Sequence, residues 1–179
     1  MLIDFNFEIP PGAANHPGYT WATLNEAATL VYSQPHLHMR GKDMEIKLTY
    51  PTGESRTLVS VPRYSYVWQT IYVQEEAIQL PKGTRIDVYA HWDNSPNNPH
   101  GADPTKTVRW GDQSWDEMLV AFVGVIVDPK TDAKKLNHDA AAGRPARLRR
   151  FLYAYWCYWC KRPTCHGRGA TSFDAILGL

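Results

Sequence analysis

"PHLHMRGKDMEIKLTYPTG" occupies residues 35–53, and its second half decides the fold. Across 43–50, Met44, Ile46, Leu48 and Tyr50 alternate with Asp43, Glu45, Lys47 and Thr49. Successive side chains of an extended chain point to opposite faces, so this register predicts a strand with one face in a core and one in water, as in antiparallel sheets. The Pro-Thr-Gly that follows supplies turn residues and ends it. The first half raises a different question, because His36 and His38 stand two apart ahead of that strand. In an extended segment residues i and i+2 share a face, and their imidazoles can converge on one point, as metal ligands do.

Working outward, period-two alternation and β-branched or aromatic enrichment predict strands at 5–8, 27–33, 43–50, 55–61, 66–73, 85–92, 106–110 and 117–127. Between them "PPGAANHPG", "PTGE", "LPKGT" and "DNSPNNPHGADP" carry the Pro, Gly, Asn and Asp that turns need. Only residues 24–28 hint at a short helical turn. Strands about ten residues apart without intervening helices predict an all-β chain, an antiparallel sandwich or jelly roll of about eight strands, over a parallel α/β fold.

Composition sets the outer bounds. A chain of 179 residues has room for one ordinary domain, and a sandwich of about 120 residues buries roughly two-thirds of its unfolded surface. The 19 Lys and Arg against 18 Asp and Glu leave a net charge of +1, which steers the chain toward neither nucleic acid nor a membrane surface. No apolar run approaches the roughly 18–20 residues of a membrane span, and the start "MLIDFNFEIPPG" lacks the three-part pattern of a signal peptide. A periplasmic or secreted location therefore requires an upstream signal. Cys157, Cys160 and Cys165 are the three cysteines, so residues 1–156 contain no internal disulfide and stand on packing alone.

After Asp128 the character changes. "PKTDAKKLNHDAAAGRPARLRR" is charged and rich in Ala and Gly, and the aromatic, Cys and Arg bias that follows is absent from the rest. Residues 1–128 are read as the domain, and 129–179 as a linker and irregular tail, a disordered or non-native extension. "CYWC" is followed by Lys161 where a haem attachment needs histidine, and in "CKRPTCH" four residues rather than two separate Cys160 from Cys165, so neither is read as a metal site.

Three motifs in order, "HLHMRGK" at 36–42, "AHWDNSPNNP" at 90–99 and "WGDQSWDEM" at 110–118, resemble the C-terminal domain of the type II copper, ascorbate-dependent monooxygenases. That is the family of peptidylglycine α-hydroxylating monooxygenase and dopamine β-hydroxylase, most nearly its bacterial members. The resemblance covers about residues 5–128. It implies a jelly-roll sandwich holding one copper ion on His36, His38 and Met118. It also implies dioxygen as co-substrate, a small-molecule or peptide substrate hydroxylated at a C–H bond, and an external reductant. The chemistry is coherent on its own terms: imidazoles suit copper in both oxidation states, a thioether favours Cu(I), and three ligands leave a position open.

The family's second copper lies on three histidines in a preceding domain that these residues do not include, so a second copper domain or an electron donor is an expected partner. In the peptide-amidating members the substrate carboxylate is held by Arg, Asn and Tyr. The matching positions here are Gln34, Val120 and Phe122, so a glycine-extended peptide is not the expected substrate. The animal enzymes also carry a cysteine after the methionine, where this chain has Leu119.

The plainer alternatives are a surface histidine pair with Met118 as core filler, and a non-catalytic sandwich that binds a partner or a carbohydrate. His16 and His100 read as loop residues, His138 as linker, and His91 as a residue packing beside or orienting the site. Asp116 and Glu117, neighbours on a strand, read as turn-forming and solvent-facing.

Overall fold

A computed structural model describes residues 1–132 and 135–139. Among these residues there is no α-helix. The strands are β1 (Leu2–Asp4), β2 (Glu8–Ile9), β3 (His16–Leu24), β4 (Ala28–His36), β5 (Gly41–Thr49), β6 (Ser55–Val61), β7 (Tyr72–Leu80), β8 (Arg85–Trp92), β9 (Val108–Arg109), β10 (Leu119–Ile126) and β11 (Asn137–Asp139). One sheet runs β1-β10-β4-β7, a second runs β11-β3-β8-β5-β6, and β2-β9 form a ribbon. Every strand pair is antiparallel.

The two larger sheets share one core, giving a β-sandwich-like fold. Leu30, Leu80, Leu119 and Ala121 of the first sheet join Met44, Ile46, Leu48, Ile86, Val88, Ala90 and Trp92 of the second in one apolar cluster. The alternation in 43–50 behaves as its pattern predicts: Met44, Ile46 and Leu48 are buried while Asp43, Glu45, Lys47 and Thr49 stay half-exposed. Each fully buried Leu or Ile in such a core contributes roughly 1.5–3 kcal/mol.

Strands β6 and β8 coincide with the expected 55–61 and 85–92, β9 and β10 fall inside their expected segments, and β4 runs on to His36. Four expectations are corrected. Of the expected strand at 5–8 only Glu8 is in a strand, the ribbon strand β2, while β1 lies before the segment at Leu2–Asp4. The helical turn at 24–28 does not form, because the Leu24 and Asn25 amides donate to the carbonyls of Thr84 and Leu136, at 2.9 and 2.7 Å. His16 opens a nine-residue strand, β3, that Pro17 and Gly18 disguise as a loop. Among the described residues β11 covers β3 only at Ala22–Leu24, so none of them forms a ladder on the other edge of Pro17, where its missing N–H is tolerated. Gly18 is required because a Cβ there would lie 2.5 Å from the Trp92 ring.

The fourth correction concerns 66–73, where only Tyr72 and Val73 are in a strand, β7. The residues before them fold across the end of the sandwich. Beyond Asp128, the backbone of Asn137–Asp139 pairs with Leu24, Thr23 and Ala22, so this part of the expected linker is a sheet edge. Cys157, Cys160 and Cys165 lie outside the described residues.

Candidate metal centre

His36 is the last residue of β4 and pairs with Val120 of β10; the chain then crosses to β5 in the other sheet through residues 37–40. Leu37 is fully buried in the core, so His36 and His38 on either side of it face away from the core. Their ring centroids lie 5.2 Å apart at an interplanar angle of 88°. On β10, Leu119 and Ala121 face the core. Alternation then puts Met118, Val120 and Phe122 on the opposite face, with Met118 diagonal to His36. The Phe122 ring, 6.2 Å from that of His36, marks the same face.

The hydrogen bonds around His36 settle its tautomer. The Gln69 side-chain amide donates to the Tyr66 carbonyl at 3.1 Å, which turns its oxygen toward the imidazole. His36 Nδ1 lies 2.7 Å from that oxygen and therefore carries the proton. The lone pair of the neutral ring is then on Nε2, the arrangement a metal-ligating histidine adopts. His38 Nδ1 is buried and makes no hydrogen bond, while the carbonyls of Asp116 and Gln113 lie against the ring. Burial drives the His36 pKa down to about 4, the nearby His38 adds to the depression, and the Gln69 contact opposes it. Burial lowers His38 too, against the pull of the two carbonyls. At neutral pH both rings are in the uncharged, ligating form.

Beneath the histidines sits Glu117, fully buried. Its Oε2 accepts from the His38 amide at 2.9 Å, the Trp92 indole at 3.0 Å and the Met118 amide at 3.3 Å, and its Oε1 accepts from the Arg40 amide at 2.6 Å. Burial pushes its pKa up to about 7, with those four N–H groups working in the opposite direction. The solvent-facing role expected for Glu117 is therefore wrong. A buried carboxylate is tolerable only when donors surround it, and here the histidine loop, the methionine and β8 supply them.

Arg40 fastens the same loop to the other two motifs. It is 2% exposed. Its Nε donates to Asn94 Oδ1 at 2.7 Å, and its terminal nitrogens donate to the Trp115 and Asp103 carbonyls at 2.7 and 3.0 Å. Asn98 donates to the Met39 and Asp93 carbonyls. The motifs at 36–42, 90–99 and 110–118 thus meet at one end of the sandwich. No family model and no curated protein matches this chain.

The remaining histidines stay apart from this cluster. His91 faces outward from β8 and pairs with Asp43 at 2.7 Å; it is the adjacent Trp92 that reaches the site. His16 lies against the Trp92 ring, 6.1 Å between centroids, and the His100 amide donates to Asn98 in a loop. His138 enters only through its backbone pairing with Thr23. Among the described residues no group of three or more His, Cys, Asp or Glu gathers as a metal would need, so a three-ligand site at His36 and His38 depends on the thioether of Met118.

Glu117, Arg40, Gln69 and Tyr66 escaped sequence reasoning. Glu117 and Arg40 carry charges, which normally predict exposure. Gln69 and Tyr66 lie in a segment whose alternation imitates a strand. The one signal available was position, since Arg40 and Glu117 stand inside motifs singled out for their neighbours.

Proposed function

We propose that His36, His38 and Met118 bind one copper ion in a jelly-roll domain of the ascorbate-dependent copper monooxygenase kind. The observation that carries this reading is the pair of neutral, buried imidazoles 5.2 Å apart, with the His38 and Met118 amides on one carboxylate oxygen. Two imidazoles and a thioether form a donor set suited to copper, with Cu(I) favoured by the soft sulfur. When bound, copper supplies one-electron chemistry toward dioxygen for hydroxylation of a C–H bond, with electrons from an external reductant. The jelly-roll part is supported by strand order: without β2, β9 and β11, the eight remaining strands interleave in chain order as 1-8-3-6 and 2-7-4-5.

The chain's own residues then have distinct tasks. Gln69 holds His36 in the tautomer that exposes Nε2, and burial keeps both rings unprotonated. Around His36 the cross-strand partners are Val120, and Gln34 opposite Phe122; none is charged, which favours a substrate neutral at the end nearest the metal. Titration of the full chain with Cu(I) tests the reading. One equivalent should bind, and His36→Ala, His38→Ala and Met118→Ala should each weaken binding. No uptake by the wild type would end the proposal.

A second reading, a carbohydrate-binding sandwich, is favoured by the exposed outer face of the five-stranded sheet. There Tyr19 and Tyr89 lie 5.0 Å apart beside Arg85 and Asp87. Retardation by immobilised polysaccharide, abolished in Tyr19→Ala/Tyr89→Ala, would support it.

A further inference from the structure

We infer that Glu117 is a positioning residue that assembles the copper site before any metal arrives. The inference rests on the copper reading above. A histidine loop and a methionine segment whose His38 and Glu117 lie 79 positions apart in the chain must be brought together by something other than the ion, or binding must supply the ordering entropy of both segments. Glu117 performs that task through the backbone. It receives the amides of His38 and Arg40 from the β4–β5 loop and the amide of Met118 at the start of β10. The Trp92 indole fixes the carboxylate from below, and Gly18 leaves room for that indole.

The two ends of the loop are held independently. Tyr64 closes on Leu37, its hydroxyl accepting from the amide at 3.0 Å and donating to the carbonyl at 2.8 Å. Arg40 is anchored to Asn94 and to two loop carbonyls. Between those fixed points, the Asp116 and Gln113 carbonyls lie against the His38 ring, and Glu117 ties the His38 backbone to that of Met118. A ligand frame locked in this way changes little between oxidation states, which suits a metal that must cycle.

Neither common replacement can substitute. Gln has one acceptor oxygen, so an NH2 group would face either the Arg40 amide or the three donors at Oε2. Asp is one methylene too short to reach both sides. The test uses the full chain. In metal-free wild-type protein, the His38, Arg40 and Met118 amides should already be protected from hydrogen exchange, and Cu(I) should add little. Free exchange of these amides until copper is added would overturn the proposal without any variant.

Glu117→Gln and Glu117→Asp should lower Cu(I) affinity by about ten- to a hundredfold, measured against a chromophoric Cu(I) chelator. Their Cu(II) forms should give heterogeneous electron paramagnetic resonance spectra in place of one species. Leu48→Ala opens the core at the end of β5 away from the histidine loop and should cost stability with little change in affinity. If Glu117→Gln and wild type bind Cu(I) equally and share one spectrum, or if Leu48→Ala loses as much affinity as Glu117→Gln, Glu117 is only a core residue. If the wild type takes up no copper although its amides are protected, the copper reading fails and this inference with it.

Discussion

At the scale of single residues, protonation and donor softness control the candidate site. His36 has a folded pKa of about 4 against an ordinary value of 6.5. Between these values the unfolded chain takes a proton that the folded chain refuses. The stabilising contribution is therefore complete above pH 6.5 and is lost as pH falls toward 4. At 1.36 kcal/mol per pKa unit, that loss is about 3 kcal/mol. The stability difference between wild type and His36→Gln, measured by denaturant unfolding without metal, should shift by this amount against the wild type between pH 7 and pH 4. A constant difference would mean that the imidazole is hydrated. At Met118, replacement by His exchanges a soft donor for a borderline one, so Met118→His should keep copper but move its preference from Cu(I) toward Cu(II). Unchanged relative affinities would reduce Met118 to packing.

At the scale of elements, β3 and the 66–71 segment show how local pattern loses to tertiary demand. Pro17 and Gly18 are turn residues by propensity, yet they lie in β3, paired with β8 at His91 and Ala90. Gly18 provides the space in which the Trp92 ring lies under the site. Gly18→Ala should therefore overpack that contact and cost about 1–3 kcal/mol, read as a lower urea midpoint with an unchanged slope. A neutral result would show that Trp92 can shift without penalty. Residues 66–71 read as the start of a strand because they alternate, but Tyr66 and Gln69 are drawn instead to Ser114 and His36. Their remaining apolar side chains, Val67, Trp68 and Ile71, are left at 78%, 77% and 46% exposure.

At the scale of the whole molecule, the described residues bring together one candidate copper site, and the reaction stoichiometry limits what one site can do. Hydroxylation of a C–H bond with release of water takes two electrons from the reductant for each dioxygen, whereas a single Cu(I) carries one. Loaded with copper and given ascorbate, this chain should consume oxygen slowly and release hydrogen peroxide, without stoichiometric hydroxylated product. An oxygen electrode with a peroxide assay checks this. Tight coupling of oxygen uptake to product would require a second copper within the chain, and would return His16, His91 and His100 to consideration despite their distance from the cluster.

The all-β class, the faces of β5 and the extents of β6 and β8 were legible in the sequence alone, because strands half-buried in a sheet carry a period of two between turn residues, although the same alternation at 66–71 belongs to no strand. The pairing of His36 with His38 was legible for the same reason, with Leu37 marking the core side. Tertiary structure alone decided which sheet each strand joins, that Pro17 and Gly18 lie in a ladder, and that Asn137–Asp139 completes an edge. It alone also decided that Glu117 and Arg40 are buried. A charged side chain in sequence predicts water, since the cost of removing it from water is local; apart from the adjacent Met118 amide, the N–H groups and carbonyls that offset that cost come from residues 25 to 79 positions away, and only the folded chain brings them within reach.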